Sequence, residues 1–302
     1  MMKAEFLTPV VTIFDEEGNL DKEGNKKVYD HLIDGGVDGL VIMGSTGEFF
    51  NMSMDMQKEL IDLVTSHVNK RVKVFIGTSR MCINESIELS NYAHNSGADG
   101  VMIISPYYFS LDDDSIELFY SEIAKNTEAE IYLYNYPDRT GYDLSPELTL
   151  RLARKHKNIV GYKDTVTLMG HTRDLINTMK IEFPEFKVYS GYDENFIHNL
   201  MSGGAGCIGG LSNLIPEVCS KWAEAYNNRD MEKVIEIQKY INKAMDFYLI
   251  TNPFIPAMKK AMNIRGLQIS DYMTAPFVKP NEKQVCEIKK LMNELNICQL
   301  TK

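Results

Sequence analysis

Short apolar runs alternate with amphipathic segments over most of the chain. The runs are rich in β-branched and aromatic residues and cover residues 5–14, 39–44, 72–79, 100–106, 130–137, 159–165, 186–193 and 206–212. Between them the apolar residues recur at helical spacing, as in 55–68, where Met56, Leu60, Leu63 and Val64 share one face. Nearly continuous apolar strands that alternate with helices predict a parallel sheet whose faces are covered by helices.

The number of repeated units indicates how this sheet closes. Eight strand–helix units within about 220 residues fit a closed (β/α)8 TIM barrel better than an open doubly wound sheet, which usually has fewer strands. After residue 216 the strand pattern stops, and helical segments are predicted at 216–248, 253–264 and 281–297. We therefore expect an α/β fold with a (β/α)8 barrel catalytic domain at 1–225 and a C-terminal helical appendage at 226–302.

The composition narrows the class of partner. Of the 302 residues 44% are hydrophobic and 25% are charged, as is usual for a globular chain, and the net charge of −10 disfavours binding to nucleic acid or anionic membranes. The first residues lack the apolar core of a signal peptide, and no run reaches the roughly 18 apolar residues of a membrane span. We expect a cytoplasmic protein that binds a small molecule.

The cysteines and histidines do not follow a metal-binding or disulfide pattern. The five cysteines are scattered without a CxxC pair, and the six histidines fall almost entirely in helical segments rather than at strand ends. The sequence therefore predicts neither a metal site nor a bound cofactor.

Chemically reactive residues cluster at the predicted carboxyl ends of five strands. In a (β/α)8 barrel these ends and the loops after them form the active face. They carry the segments Gly44–Glu48 (GSTGE), Ser105–Tyr108 (SPYY), Tyr134–Gly141 (YNYPDRTG), Lys163–Thr165 (KDT) and Gly191–Glu194 (GYDE). Five loops are thus expected at one rim of the barrel.

Lys163 is the most informative of these residues. Lysine is rarely buried, yet the run IVGYKDT places it within a strand of core residues. Desolvation disfavours the ammonium form of a lysine and makes it a usable nucleophile towards a carbonyl carbon, which is the requirement for Schiff-base catalysis. The alternative is a lysine at a strand end that forms an ion pair with Asp164 or Glu48.

Two neighbouring features extend this hypothesis. The small and hydroxyl residues of GSTGE allow a close approach of backbone amides, which can bind a carboxylate. Tyr134, at the end of the fifth strand, can carry a proton to or from a reacting group. Alternatively, the GSTGE turn and Tyr134 have only a structural role.

Together these motifs resemble a known family. GLVIMGSTGE, SPYY, YNYPDRTG, GYKDT, GYDE and the closing glycine-rich segment occur in the order and spacing of the dihydrodipicolinate synthase and N-acetylneuraminate lyase superfamily of class I aldolases. The resemblance spans residues 5 to 225, and the helical tail is similar to the C-terminal helices of that family.

The resemblance implies a role for each motif. Lys163 would form an imine with the keto carbon of pyruvate or a 2-keto acid, Tyr134 would be the general acid/base, and Ser45 and Tyr108 would complete a proton relay. In many relatives a neighbouring subunit donates one tyrosine of this relay, and the usual assembly is a homotetramer built as a dimer of dimers. The substrate-binding residues would be Thr46, Gly47, Arg139, Thr165, Gly191, Asp193 and Glu194.

The residues around the second substrate favour one branch of the superfamily. Arg139 stands where the synthases of lysine biosynthesis keep an arginine for the carboxylate of aspartate semialdehyde. Tyr136, the pair Asp164–Thr165 and the GYDE segment instead resemble the aldolases that cleave 2-keto-3-deoxy sugar acids, and carboxylates suit the recognition of sugar hydroxyls. Sugar-acid cleavage is the leading interpretation, and dihydrodipicolinate synthase and N-acetylneuraminate lyase are the alternatives.

Two further classes of function remain open. A non-catalytic sensor of keto acids on the same barrel would bind its ligand without turnover, and the intact set of Lys163, Tyr134, Ser45 and Tyr108 disfavours it. A metal-dependent barrel aldolase is disfavoured by the position of the histidines.

Overall fold

Residues 2–300 are described by a computed structural model. Their eight strands are hydrogen-bonded in chain order and close into a barrel, which confirms the predicted (β/α)8 fold. The strands are β1 (Glu5–Pro9), β2 (Gly39–Ile42), β3 (Lys73–Gly77), β4 (Gly100–Ile104), β5 (Ile131–Asn135), β6 (Ile159–Asp164), β7 (Lys187–Ser190) and β8 (Gly206–Ile208).

Helices alternate with the strands, and after β8 the described residues contain only helices and connecting segments. They are α1 (Lys22–Asp34), α2 (Met54–Val68), α3 (Ile83–Asn95), α4 (Asp113–Lys125), α5 (Pro137–Thr140), α6 (Pro146–Lys155), α7 (Gly170–Lys180), α8 (Phe196–Ser202), α9 (Pro216–Asn227), α10 (Met231–Ala244), α11 (Phe247–Ile250), α12 (Ile255–Arg265) and α13 (Glu282–Glu294). The last four helices form the predicted C-terminal appendage.

The predicted helical segment 216–248 is interrupted. Between α9 and α10 Arg229 has a φ of 62°, which a right-handed helix cannot contain. Asp230 then caps the next helix, because its carboxylate accepts a hydrogen bond from the amide of Lys233 at 3.0 Å. The prediction of one continuous helix is therefore wrong here.

The chain divides into two compact units by its internal contacts. The first contains the residues up to Glu5 together with Lys73–Gly209, and the second contains Phe6–Val72 and the residues from Gly210 onward. The predicted domain boundary at residue 225 stays a prediction.

The first unit contains the parallel strands β3 to β8. The register of β5 against β6 pairs Tyr134 with Lys163 and Asn135 with Asp164. At the amino end of β1, the carboxylate of Glu5 accepts a hydrogen bond from the hydroxyl of Tyr189 of β7 at 2.6 Å. Tyr134, Asn135, Lys163 and Asp164 thus lie together at the carboxyl ends of β5 and β6.

The second unit contains β1 beyond its first residue, β2 and the C-terminal helices. Within it, Pro9 of β1 lies in register with Val41 of β2. The buried side chain of Asn213 accepts from the amide of Val11 at 3.1 Å and donates to the carbonyl of Pro9 at 2.9 Å. These bonds fix the end of β1, where the chain leaves the strand.

Candidate active site

Lys163 and Tyr134 lie side by side at the ends of β6 and β5. Parallel strands in register point paired residues to the same side of the sheet. The amine Nζ of Lys163 lies 4.2 Å from the centre of the Tyr134 ring, and the two residues are 4% and 3% exposed. A desolvated amine therefore lies beside a phenol, as an imine-forming site requires.

The two carboxylates considered as partners of Lys163 have other partners. Asp164 accepts from the Thr172 hydroxyl at 2.6 Å and from the side-chain amide Nδ2 of Asn135 at 3.0 Å, and its Oδ2 lies 2.9 Å from Nδ1 of His171. Glu48 forms its ion pair with Lys259. The structural alternative for Lys163, an ion pair with either carboxylate, is therefore not the arrangement found.

His171 is held between two acceptors. Its Nδ1 faces Asp164, and its Nε2 lies 3.1 Å from the carbonyl oxygen of Leu144. Burial alone lowers the pKa of His171, but the hydrogen bond and the charge of Asp164 outweigh it, so that the pKa lies above its ordinary value. The imidazolium form satisfies both acceptors and balances the buried charge of Asp164.

Aromatic residues extend the site on the side of β5. The rings of Tyr134 and Tyr136 stack with centres 6.1 Å apart, and the guanidinium carbon of Arg139 lies 5.1 Å from the centre of the Tyr136 ring. Burial raises the pKa of Tyr136, which also forms a side-chain hydrogen bond with Tyr192. Tyr136 and Tyr192 thus join the β5 loop to the β7 loop.

Thr165 and Gly191 meet after β6 and β7. The Thr165 hydroxyl is buried and has no hydrogen-bond partner among residues 2–300. The amide of Gly191 donates to the carbonyl of Asp164 at 2.7 Å, and a Cβ at Gly191 would lie only 2.0 Å from the Thr165 hydroxyl oxygen. A glycine is therefore required here, because a side chain at position 191 would clash with Thr165.

The remaining predicted residues of the first unit differ in exposure. Asp193 is completely buried at the start of a short 3₁₀ turn, Asp193–Asn195, whereas Glu194 is exposed. Tyr108 is 79% exposed and forms an edge-to-face pair with Phe109. Tyr108 and Glu194 therefore face solvent in the single chain.

The GSTGE segment of the second unit forms a tight turn. Ser45–Gly47 is a 3₁₀ turn in which the amide of Gly47 donates to the carbonyl of Gly44 at 2.9 Å. The Thr12 hydroxyl donates to the carbonyl of Gly47 at 2.8 Å, and a Cβ on Gly47 would come within 3.0 Å of the Val10 carbonyl oxygen. Gly47 thus lets the turn pack on the end of β1, with Thr46 buried and Ser45 half-buried.

The sequence motifs did not reveal the partners of these residues. Asn135 follows Tyr134 directly, but its bridge to Asp164 depends on the strand register, which sequence alone does not give. Lys259 lies more than 200 positions from Glu48 and has no motif around it. A search for strand-end polar residues could have found the first, and nothing in the sequence pattern indicates the second.

No group of three or more His, Cys, Asp or Glu side chains in residues 2–300 could hold a metal ion. Among the same residues, no helix is long and apolar enough to cross a membrane.

Known proteins resemble this chain over almost its full length. The profile of the Dihydrodipicolinate synthetase family matches residues 2–295. YagE of Escherichia coli K12, provisionally named a 2-dehydro-3-deoxy-D-gluconate aldolase, is 34% identical over 97% of both chains. YjhH of the same organism, provisionally named a 2-dehydro-3-deoxy-D-pentonate aldolase, is also 34% identical, over 96% of this chain and 97% of its own.

The solved structures agree with this relationship. The crystal structure of YagE in complex with pyruvate covers 99% of this chain and 100% of its own, with a TM-score of 0.95 and 34% identity. These matches confirm the family predicted from the motifs. Given the profile match over nearly all its residues and relatives of this identity and coverage, the chain belongs to the Dihydrodipicolinate synthetase family.

Proposed function

We propose that the protein is a class I aldolase that cleaves 2-keto-3-deoxy sugar acids to pyruvate and an aldehyde. The observation that supports this most directly is the buried Lys163 amine beside the Tyr134 ring, with the neighbouring carboxylate of Asp164 bound to other groups. The names of YagE and YjhH agree with this reaction.

Lys163 is the nucleophile in this reaction. Its amine attacks the C2 keto carbon of the substrate to give a carbinolamine, and Tyr134 donates its phenol proton to the departing hydroxyl, so that water leaves and an iminium forms. The iminium accepts the electrons of the C3–C4 bond as Tyr134 removes the proton of the C4 hydroxyl, so that the aldehyde leaves. Tyr134 then returns this proton to C3 of the enamine on Lys163, which restores the iminium. Water adds to the iminium and gives a proton back to Tyr134, and collapse of the carbinolamine releases pyruvate and the free amine.

The carboxylate of the keto acid is assigned to the GSTGE turn. Ser45 and Thr46 supply the hydroxyls and amides for it, and Gly47 lets the turn close. Ser45 and Tyr108 complete the proton relay with Tyr134. These assignments come from the family resemblance.

The other half of the substrate is assigned to the β5, β6 and β7 loops. The buried Thr165 hydroxyl and the carboxylates of Asp193 and Glu194 can bind sugar hydroxyls, with Gly191 leaving room for Thr165. Arg139, stacked on Tyr136, can bind the far end of the substrate.

A homotetramer built from close dimers belongs to the same proposal. Tyr108 and Phe109 are 79% and 69% exposed, and large aromatic side chains exposed together are typical of interaction surfaces. We propose that this loop meets a second copy of the chain, which would bring Tyr108 into a relay shared between subunits. A cytoplasmic location remains a prediction from the sequence.

Arg139 supports a second candidate, 4-hydroxy-tetrahydrodipicolinate synthase. A protein of that name from Kosmotoga olearia is 33% identical over 95% of this chain, and a guanidinium can bind the carboxylate of aspartate semialdehyde through two parallel hydrogen bonds. The guanidinium of Arg139 lies over the Tyr136 ring and donates to the carbonyl of Asp138 at 3.5 Å, and neither of these contacts is with a carboxylate.

One series of assays separates these candidates. The same preparation is given 2-keto-3-deoxygluconate, its pentonate homologue, N-acetylneuraminate, and pyruvate with aspartate semialdehyde. We expect pyruvate release from the deoxy sugar acids, with both the wild type and Arg139→Ala active on them. If the wild type does not cleave sugar acids but has synthase activity that Arg139→Ala abolishes, the synthase becomes the favoured function. If ligands bind without any turnover, the protein is a sensor.

A further inference from the structure

Glu48 lies in a buried charged cluster that the proposed mechanism does not use. Its carboxylate and the amine of Lys259 are completely buried, with Nζ and Oε1 2.5 Å apart. The other carboxylate oxygen accepts from the Thr274 hydroxyl at 2.6 Å, and the side-chain amide of Asn51 donates to that hydroxyl at 2.9 Å. Both oxygens of Glu48 are thus bound by residues of α12 and of the segment after it.

The charges of this cluster are costly to bury. Removing an amine and a carboxylate from water often costs more free energy than their attraction returns, and a well-packed apolar pair of similar size is frequently as stable. Burial lowers the pKa of Lys259, although the charge of Glu48 opposes this effect. Stabilisation of the fold alone is therefore a poor explanation for the pair. A role in fixing the position of the Glu48 side chain explains it better.

The backbone of Glu48 connects the ion pair to the turn Ser45–Gly47. Glu48 has φ 58° and ψ 34°, a left-handed conformation that glycine and asparagine adopt at lower cost than glutamate. Its amide donates to the carbonyl of Ser45 at 3.2 Å and so closes the turn Ser45–Gly47. A glutamate at this position indicates that its side chain is needed, because backbone preference alone disfavours it.

We propose that Lys259 and Thr274 are positioning residues that act through Glu48 to hold the GSTGE turn in the shape that binds the carboxylate of the keto acid. This inference rests on the proposed function, since it assigns the turn to that carboxylate. It gives the C-terminal segment a part in substrate binding, because α12 and the residues after it hold the turn. Lys259 is not a second nucleophile, since its amine is enclosed and paired with Glu48.

The test uses two ketones that differ in the carboxylate. Pyruvate carries the group that the turn is proposed to bind, and acetone has a methyl group in its place, while both form an imine with a lysine that borohydride reduces to a stable adduct. The adduct on Lys163 is measured by mass spectrometry against the concentration of each ketone. A loss of folding or of Lys163 reactivity lowers adduct formation with both ketones equally. A displaced carboxylate site changes the concentration dependence of the pyruvate adduct alone.

Lys259→Met removes the cation, and Lys260→Met is its matched control. Lys260 is the next residue of α12 and forms a partly exposed ion pair with Asp271. For Lys259→Met we expect the half-saturating pyruvate concentration to rise about tenfold with the acetone curve unchanged, as mutations that act through a positioning network typically have effects of this size. Lys260→Met leaves both curves as in the wild type.

Thr274→Val keeps the ion pair and removes one hydrogen bond to Glu48, so it carries the test if Lys259→Met does not fold. We expect a rise of about threefold for pyruvate alone, since one neutral-to-charged hydrogen bond is lost. Equal changes for the two ketones, or an unchanged pyruvate curve in a folded variant, would overturn the positioning role while the proposed function stands. Absence of a pyruvate adduct on the wild-type protein would instead overturn the proposed function and this inference with it.

Discussion

Lys163 shows what strand position alone indicates about a side chain. A lysine inside an apolar strand has to be desolvated or paired, and the sequence could not decide between the two. The structure brings Tyr134 to it through the β5–β6 register and binds Asp164 to His171, Thr172 and Asn135. The position of Lys163 and Tyr134 at strand ends could therefore be predicted from the sequence, whereas the partners of the carboxylates depend on tertiary contacts. The catalytic roles of the two residues stay a prediction.

Tyr134→Phe tests the proton transfer assigned to this residue. The change keeps the ring beside Lys163 and removes the hydroxyl, so turnover of the deoxy sugar acids is expected to fall by about 10²–10⁴-fold. Steady-state kinetics of pyruvate release measure the effect. Tyr132→Phe, a ring on the same strand that packs against Phe75, is the control and leaves turnover near the wild-type rate. A Tyr134→Phe enzyme of normal activity would rule out the assignment.

His171 predicts a pH dependence of stability. Its folded-state pKa is raised, so the stability from its protonation is fully present below its unfolded pKa of about 6.5 and is lost as the pH rises through the folded value. Chemical unfolding at several pH values from 6 upward should show that the free energy of unfolding declines as the pH rises, and that this decline is smaller in His171→Gln. The exposed His94→Gln is the control and keeps the wild-type profile. Equal declines in all three proteins would contradict a buried imidazolium.

At the scale of elements, helix starts were predicted better than buried faces and helix breaks. In the sequence, a serine cap at 145 followed by a proline at the first helical position predicts a helix start, and α6 begins there, with the Ser145 hydroxyl accepting from the amide of Leu148 at 3.1 Å. In α2 the buried face includes Ile61 and Gln57, which the apolar spacing left out. Caps are local hydrogen bonds, whereas the buried face depends on which neighbour the helix meets.

Ser145→Ala tests the cap of α6. Loss of the side-chain acceptor leaves the amide of Leu148 without its partner, and the free energy of unfolding should fall by about 1 kcal/mol. Ser66 is an exposed serine inside α2. Ser66→Ala should leave the free energy of unfolding unchanged or raise it by about 0.5 kcal/mol, since alanine is the better helix former. Urea unfolding of the two variants measures the difference. A similar loss at both sites would show that the cap is not what stabilises α6.

At the scale of the whole molecule, the alternation of strands and helices was sufficient to predict the closed barrel and, with the motifs, the family. The division of the chain into two units joins residues far apart in sequence, such as 6–72 and those after 209, and periodicity carries no such information. The ion pair of Glu48 with Lys259 belongs to the same class of long-range contact.

The most direct test of the central claim is a covalent one. The wild-type protein and Lys163→Met are incubated with pyruvate, reduced with borohydride, and compared by intact mass and peptide mapping. We expect one reduced pyruvate per wild-type chain, attached to Lys163, and an unmodified mass for Lys163→Met. An unmodified wild-type chain, or an adduct on any other lysine, would contradict Schiff-base chemistry at this site.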